Sequence, residues 1–190
     1  MSRLPFYVVV VIATLGSGAA GYLLRQYQSQ TQQSEAVALP PKPVVTTAKD
    51  VTGQILPEFS LPDIHGRVHS IHEWDGKVVA INFWASWCEP CMQEIPSFIT
   101  LQDKYAKQGL QFLGIALQNP NEIKEFVATH GINYPVLAGE AEVIDLATAL
   151  GNDMGTLPYT VIIDRKQRIS FIKNGLLDRV QAEAVITTLL

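Results

Sequence analysis

The chain is poor in cysteine, and it carries neither an internal repeat nor a tract rich in histidine, glycine or acidic residues. Its 190 residues contain two cysteines, so a zinc site built on two cysteine pairs is excluded. Positive charge is also scarce: the net charge of −4 at pH 7 argues against nucleic acid as a partner. The length allows one domain of ordinary size together with additional segments.

One long apolar stretch, residues 4–24, is free of charged side chains. As a helix that rises ~1.5 Å per residue it would span a hydrocarbon core of ~30 Å. Arg3 precedes it and Arg25 follows it, so the positive charges do not fix an orientation. The small residues at 16–20 also suit a signal-peptide cleavage site. We therefore expect residues 1–25 to be an uncleaved anchor or a cleaved signal peptide, and the remainder to be exported in both cases.

Residues 26–50 are rich in Gln, Ser and Thr and then in proline, with few side chains that could build a core. The glutamine-rich part is predicted to be disordered, and the run Pro40-Pro41-Lys42-Pro43 to be stiff and extended. We interpret this segment as a tether that holds a globular domain, residues 51–190, clear of a membrane.

Both cysteines lie in the segment KVVAINFWASWCEPCMQE, residues 77–94. Its early part, Val78 to Trp84, is an almost unbroken apolar run that predicts a central strand covered on both faces. From Cys88 onward the apolar spacing is helical, so Cys88 is predicted to lie where a strand gives way to a helix. The first turn of a helix offers unpaired N–H groups and partial positive charge, which favour a thiolate there.

Cys91 follows Cys88 by three residues, on the same helical face and within reach of a disulfide. A Cys-x-x-Cys pair at such a junction predicts a redox dithiol. Pro90 suits the first turn, because its missing N–H leaves no bond within the helix unmade. Glu89 also suits a helix start, although its charge disfavours a neighbouring thiolate.

Elsewhere in the domain, strand patterns alternate with helical patterns. We predict strands at residues 58–61, 67–71, 110–117, 135–138, 159–164 and 168–173, and helices at residues 88–109, 119–130, 141–150 and 178–190. This order indicates an α/β fold with a mixed sheet flanked by helices.

Three motifs together resemble the TlpA/ResA group of membrane-anchored thioredoxin-like proteins. They are VVAINFWASWCEPCMQEIP around the cysteines, GTLPYTVIIDRKQRI downstream and GQILPEFSLPDIHGRVHSI upstream. The resemblance covers nearly the whole domain. It implies a thioredoxin-like fold with a central mixed sheet, extra N-terminal strands and a helical insertion, and it implies thiol–disulfide exchange on the far side of the cytoplasmic membrane.

The resemblance also implies roles for single residues. Cys88 corresponds to the nucleophile and the more exposed sulfur, and Cys91 to the thiol that resolves a mixed disulfide with a partner. Glu94, one turn after Cys91, matches an acidic residue of ResA-like proteins. Buried near the sulfurs, its carboxylate would have a raised pKa and could relay protons; at the surface it would be an ordinary solvated residue.

Pro158 corresponds to the family's cis-proline, whereas without the resemblance it would be taken for a trans proline at the start of an edge strand. A cis bond would turn Leu157 toward the dithiol, where its main chain could pair with an extended partner segment. Trp87 is interpreted as a partly exposed wall for partner docking. With Glu89 and Pro90, these residues form the predicted substrate-binding surface.

Thioredoxins proper carry a buried Asp six residues before the first cysteine, and here Asn82 takes that place. Because Asn82 cannot titrate, proton handling must differ, and as the polar residue of its strand it is expected to hydrogen-bond locally. Trp84 is assigned to core packing. His65, His69 and His72 straddle a turn and a strand, which predicts scattered surface histidines and no metal site.

These observations predict a membrane-tethered, extracytoplasmic thiol–disulfide oxidoreductase without a cofactor, and a reductant of partner proteins is favoured over an oxidant. Exported compartments are oxidising, so a reductant needs electrons from elsewhere. The resemblance suggests a membrane thiol carrier of the CcdA or DsbD kind as the donor and apocytochrome c as one target. If the N-terminus is cleaved, the domain would be free in the periplasm.

Three other classes of function are weighed against this one. A copper chaperone similar to the SCO proteins needs three residues between its cysteines and a matched downstream histidine, and this chain has two residues between. A peroxiredoxin sets its peroxidatic cysteine in a Thr-x-x-Cys motif, which is absent around Cys88. A non-catalytic adaptor would not require the dithiol at all.

Overall fold

A mixed sheet forms the centre of the computed structural model, which describes Arg25 and residues 50–190. Within these residues its five strands lie in the order β5-β4-β3-β6-β7. They are β3 (Val78–Trp84), β4 (Leu110–Leu117), β5 (Val136–Gly139), β6 (Tyr159–Ile163) and β7 (Ile169–Asn174). β3, β4 and β5 run parallel to one another, whereas β6 is antiparallel to both β3 and β7.

The central position of β3 follows from its composition. All seven of its residues are buried, and it pairs with β4 on one side and β6 on the other. A strand covered on both faces has no polar alternation, which is why an unbroken apolar run predicts it. The bounds predicted for β3 and β4 agree with the structure to the residue.

Four helices of the described residues flank the sheet: α1 (Glu89–Tyr105), α2 (Pro120–Thr129), α3 (Ala141–Ala149) and α4 (Arg179–Leu189). Asn119 caps α2 and Asp178 caps α4, in each case with a side-chain oxygen that accepts a backbone N–H of the first turn. After α1, a short 3-10 turn ends at Gly109, whose φ of 100° favours glycine. α1 is therefore shorter at its C-terminus than the predicted helix.

The sheet divides the hydrophobic core into two clusters, one on each of its faces. Side chains of α1, α2 and α4 cover one face, where Cys91, Phe98 and Ile186 pack with Phe112 of β4. α3 and residues that precede β3, among them Val51, Leu56 and Ile71, cover the other face. The cysteine helix thus lies on a different face of the sheet from α3.

An antiparallel hairpin precedes the sheet, made of β1 (Ser60–Pro62) and β2 (Val68–Ser70). Both strands are shorter than predicted. The second ends at Ser70 because a 3-10 turn, Ile71–Trp74, takes over where the strand was expected to continue. A single bridge between Asp63 and Leu137 joins the hairpin to the β5 edge of the sheet.

The anchor and the tether predicted in residues 1–50 lie outside the described residues, except for Arg25 and Asp50. In the part of the chain that the structure describes, none of the helices combines the length and the apolar character needed to cross a bilayer.

Candidate redox site

The cysteines lie where the chain leaves β3 and enters α1. Cys88 is the residue before the helix, with extended backbone (φ −89°, ψ 100°), and its N–H donates to the carbonyl of Ala85 at 3.1 Å. Pro90 occupies the first turn of α1. The predicted strand-to-helix junction is confirmed, and the free N–H groups of that first turn lie next to Cys88.

A disulfide joins Cys88 to Cys91, with an S–S distance of 2.02 Å and 5.3 Å between the Cα atoms. The two residues differ in access: Cys88 is 6% exposed, whereas Cys91 is fully buried at 0%. A partner disulfide that approaches from solvent therefore meets the sulfur of Cys88 first. This difference agrees with the relative exposure that the resemblance implied.

Glu94 lies one helical turn beyond Cys91 and is buried, with 2% of its surface exposed. Oε1 accepts a hydrogen bond of 2.6 Å from Asn82 Nδ2, and Oε2 accepts one of 3.0 Å from the N–H of Leu177. Of the two environments considered for this side chain, the buried one is observed. The carboxyl group joins α1 to β3 and to the segment between β7 and α4.

The surroundings of Glu94 change its ionisation. Burial raises the pKa of the Glu94 carboxyl to about 7, and the hydrogen bonds from Leu177 and Asn82 act in the opposite direction. A carboxyl group with such a pKa exchanges its proton readily near neutral pH. That property suits a group that passes protons to or from neighbouring thiols.

Asn82 contacts a second polar partner. Its Nδ2 also donates to Thr160 Oγ1 at 3.0 Å, and Asn82 and Thr160 are register partners on the antiparallel strands β3 and β6. The expectation of a local hydrogen bond was wrong, because its partners are 12 and 78 residues away. Among the described residues, Asn82 Oδ1 is a buried acceptor without a donor.

Thr160 and Leu177 belong to this network but were not foreseen. Thr160 is the polar residue in an otherwise apolar strand, YTVII, and the same signal that drew attention to Asn82 could have found it. Leu177 contributes only its backbone N–H, which leaves no trace in a sequence pattern.

The peptide bond between Leu157 and Pro158 is cis, as the resemblance implied. Pro158 is buried and comes directly before β6, whose first residue pairs with Phe83 near the end of β3. Leu157 is half-buried, and within the described residues no partner hydrogen-bonds its N–H or its carbonyl. The loop therefore presents an unpaired main chain at the end of the sheet where β3 leads to the cysteines.

The preceding residues hold this loop in shape. Asn152 Nδ2 donates to the carbonyl of Thr156 at 2.9 Å, and the N–H of Thr156 donates back to Asn152 Oδ1 at 3.0 Å. Asn152 is itself buried at 2% exposure. Reciprocal bonds of this kind fix the backbone that leads into Leu157.

The outward face of the cysteine turn is formed by Trp87, Glu89 and Pro90, all of which are exposed. Trp87 is 66% exposed, whereas Trp84 is buried and lies against Phe126 with 5.4 Å between ring centroids. The interpretation of Trp84 as core and of Trp87 as exposed is confirmed.

The histidines of the N-terminal hairpin do not behave alike. His65 and His72 are exposed, although His72 Nδ1 bonds Asp75 Oδ2 at 3.2 Å. His69 is half-buried and bonds Glu73 Oε2 through Nδ1 at 2.8 Å and Asp63 Oδ2 through Nε2 at 3.1 Å. Hydrogen bonds to these carboxylates raise the pKa of His69. His69 is thus part of a hairpin contact, which corrects its description as a scattered surface histidine. No three ligating side chains meet as a metal site within the described residues.

The model of the AhpC/TSA family matches residues 52–172. The chain belongs to this family. Thiol-disulfide oxidoreductase ResA of Geobacillus thermodenitrificans is 32% identical over 124 residues, which are 65% of this chain and 69% of the relative. Thioredoxin-like protein YneN of Bacillus subtilis is 33% identical over 135 residues, 69% of this chain and 76% of the relative.

Solved structures give the same result for the fold. A thiol:disulfide interchange protein of the thioredoxin family from Chlorobium tepidum superposes with a TM-score of 0.66 at 27% identity, covering 74% of this chain and 98% of that one. A putative thiol:disulfide interchange protein DsbE from the same organism gives 0.65 at 26% identity, covering 73% and 96%. The predicted thioredoxin-like fold is confirmed.

This member of the AhpC/TSA family is a thiol–disulfide oxidoreductase. The family alone would also suit a peroxidase. The relatives named for thiol–disulfide exchange, together with the disulfide between Cys88 and Cys91, favour exchange over the peroxidase and copper-chaperone alternatives.

Proposed function

We propose that this oxidoreductase reduces disulfides in exported partner proteins, with Cys88 as the attacking sulfur and Cys91 as the resolving one. The observation that carries the proposal is the unequal burial of the pair: Cys88 retains some exposure beside the first turn of α1, and Cys91 has none. A thiolate is the attacking species in exchange, and the first turn of a helix stabilises it.

The exchange has two steps. The Cys88 thiolate attacks one sulfur of the partner's disulfide, which forms a mixed disulfide and releases the partner's other sulfur as a thiolate. Cys91 then attacks Cys88, releasing the partner's second sulfur and forming the Cys88–Cys91 disulfide seen in the structure. Two electrons pass to the partner, and each of its sulfurs takes up one proton to become a thiol.

Glu94 is proposed to supply a route for the protons. Cys91 must lose its proton before it attacks Cys88, and a carboxylate one turn away on the same helical face can accept it. The pKa of about 7 suits this transfer, because the group then holds and releases a proton near neutral pH with little bias. The proton can afterwards leave to the departing sulfur of the partner.

Partner proteins are proposed to dock around Cys88 in an extended conformation. The unpaired N–H and carbonyl of Leu157 could form main-chain hydrogen bonds with a partner strand, in the manner of an added β-strand. The exposed ring of Trp87 offers apolar contact beside the dithiol, and Glu89 and Pro90 complete that surface. Pro158 is buried, and its cis peptide bond would set the direction of the Leu157 main chain.

We further propose that residues 4–24 anchor the chain in the cytoplasmic membrane as a single span, with the catalytic domain, residues 51–190, on the extracytoplasmic side. The support is the length of that uncharged apolar stretch and the polar, proline-containing segment that follows it. A carrier of the CcdA or DsbD kind would supply electrons, and apocytochrome c is a candidate substrate. Fractionation and N-terminal sequencing of the exported protein distinguish this anchor from a cleaved signal peptide.

The reduction potential of the Cys88–Cys91 pair tests the proposed direction. The full chain, in detergent where it requires one, is equilibrated in dithiothreitol or glutathione buffers, and the fraction of disulfide is measured. We expect a value near that of thioredoxin, ~−270 mV or lower, which would enable the dithiol to reduce partners. A value near that of a strong oxidant, ~−120 mV, would reverse the proposed electron flow.

A further inference from the structure

We propose that Asn82 and Thr160 form a positioning pair: Thr160 holds the amide of Asn82 so that it donates to Glu94, and this donor stabilises the carboxylate form of the group. The inference rests on the proposed function only in so far as Glu94 matters for exchange. In this proposal both side chains act through Glu94 and not on the sulfurs.

The geometry supports a fixed donor. Asn82 Nδ2 has two hydrogens, and both have acceptors: Glu94 Oε1 at 2.6 Å and Thr160 Oγ1 at 3.0 Å. All three side chains are buried, at 1%, 2% and 0% exposure respectively. In so dry a site an N–H donor to a carboxylate contributes more than it would in water.

The orientation of the amide decides whether Asn82 offers Glu94 a donor or an acceptor. Asn82 Oδ1 is buried and has no donor among the described residues, so it does nothing to select the orientation of the amide. A half-turn of the amide would exchange Oδ1 and Nδ2 and would present an acceptor to Glu94. An acceptor there favours the protonated carboxyl group, whereas the observed donor favours the carboxylate. Thr160 Oγ1 accepts the second hydrogen of Asn82 Nδ2 and so holds the amide in the position from which Nδ2 also reaches Glu94 Oε1. Because a hydroxyl can donate as well as accept, the choice of nitrogen over oxygen comes from the carboxylate, which only accepts.

The proton equilibrium of Glu94 can be followed separately from those of the cysteines and Tyr134. On its own helix, Cys88 and Cys91 do not titrate while they form the disulfide. Before β5, burial and the negative charge of Glu94 both raise the pKa of Tyr134, which stays neutral at ordinary pH. On β7, the charged residue in register with Thr160 is Lys173. In the oxidised protein, neither the cysteines nor Tyr134 therefore changes charge in the range where Glu94 titrates.

The experiment measures the ionisation of Glu94 directly. The full-length oxidised protein is labelled with ¹³C at the glutamate side-chain carboxyl, and its resonances are followed from pH 4 to 10. The Glu94 signal is assigned by its loss in Glu94→Gln. Three variants are compared with the wild type: Asn82→Asp, Thr160→Val and Thr160→Ser. Thr160→Val replaces the hydroxyl by a methyl of similar shape, and Thr160→Ser is its matched control because it keeps the hydroxyl.

Asn82→Asp replaces the donor by a second carboxyl group, so we expect the apparent midpoint of Glu94 to rise by ~1 pH unit or more, with coupled titration of the pair. Thr160→Val should raise it by ~0.5 to 1 pH unit, the equivalent of one ordinary hydrogen bond. Thr160→Ser should leave it unchanged. Thr160→Val keeps the test valid if Asn82→Asp fails to fold.

Equal midpoints in the wild type and Thr160→Val, or a downward movement, would overturn the inference. A rise of the same size in Thr160→Ser would also overturn it, because the hydroxyl would then be irrelevant. The pH dependence of thiol exchange in the same reduced variants separates this inference from the proposed relay. If the Glu94 midpoint moves but the exchange profile does not, the positioning pair stands and the relay role of Glu94 fails.

Discussion

Two glutamates, five residues apart on the same helix, occupy opposite environments around the dithiol. Glu89 is exposed beside Cys88 at the start of α1, whereas Glu94 is buried beyond Cys91 and held by Asn82 and Leu177. Water screens the charge of the first. Burial of the second disfavours its charged form and raises its pKa to about 7.

The cysteines and the tryptophans around the same turn also differ in burial. Cys88 and Trp87 face solvent to different degrees, and Cys91 and Trp84 are buried. A single turn of chain thus separates a surface that can meet a partner from an interior that can hold a proton. If that division is functional, substitutions on the two sides must fail in different ways.

The largest difference is expected between the two cysteines. Cys88→Ser should abolish exchange with protein disulfides, because it removes the sulfur that a partner can reach. Cys91→Ser should still attack but should remain linked to partners as mixed disulfides, since nothing resolves them. Non-reducing gels of each reduced variant, mixed with a disulfide-containing protein, distinguish the two outcomes.

The double variant, Cys88→Ser with Cys91→Ser, is the control for non-specific trapping. Full turnover by Cys91→Ser would refute the two-cysteine mechanism. Trapping by Cys88→Ser and not by Cys91→Ser would exchange their roles and contradict the argument from burial.

The next largest effect concerns stability and pH in the oxidised protein. Because the folded-state pKa of Glu94 lies above its usual value of 4.5, the native state binds a proton that the unfolded chain has released between pH 4.5 and about 7. The wild type therefore loses stability as pH rises through that window. Relative to Glu94→Gln, which stays neutral, the loss should amount to about 3 kcal/mol.

Urea unfolding of the wild type and Glu94→Gln at several values of pH between 4 and 8 measures this difference. Glu89→Gln is the matched control, because it makes the same chemical change on the exposed side of the turn. We expect its stability to follow that of the wild type across the range. Parallel curves for wild type and Glu94→Gln would show that burial does not perturb the carboxyl group.

The sequence was sufficient to predict the features that are encoded locally. The apolar runs that became β3 and β4 are continuous because both faces of those strands are covered, and such runs have sharp ends. The start of α1 follows from the change in apolar spacing at Cys88 and from Pro90, which the first turn tolerates. Local composition was therefore enough to place the two cysteines between the end of β3 and the first turn of α1.

The surroundings of Glu94 required the structure. Thr160 and Leu177 are 66 and 83 residues further along the chain than Glu94, and a contact over such a distance produces no periodicity. The hairpin is a second example: His69 lies between Asp63 and Glu73, and this arrangement depends on the 3-10 turn after β2, which the strand pattern did not predict. The state of Glu94 is decided by long-range contacts, and that of His69 by a local turn that the strand pattern did not predict.

A smaller effect is expected from the exposed tryptophan. Trp87→Ala should raise the KM for protein disulfides by ~5- to 10-fold, since one aromatic contact at a docking surface contributes about 1 kcal/mol. The rate with hydroxyethyl disulfide, which is too small to reach the tryptophan and the sulfur together, should not change. Val68→Ala is the matched control, because Val68 is 63% exposed but lies on the N-terminal hairpin. Equal losses with both substrates would assign Trp87 to the chemistry and not to docking.

The smallest effect is expected from the exposed glutamate. Glu89→Gln removes a negative charge next to Cys88 and so favours its thiolate, which should speed attack at neutral pH by no more than ~3-fold. The gain should shrink as salt is raised from 20 mM to 500 mM, because exposed charges are screened, whereas the effect of Glu94→Gln on the pH dependence of exchange should persist at both salt concentrations. Stopped-flow rates with the uncharged hydroxyethyl disulfide measure both. A salt-independent gain for Glu89→Gln would mean that its carboxylate acts at close range, and the contrast between the two sides of the turn would then be one of position and not of screening.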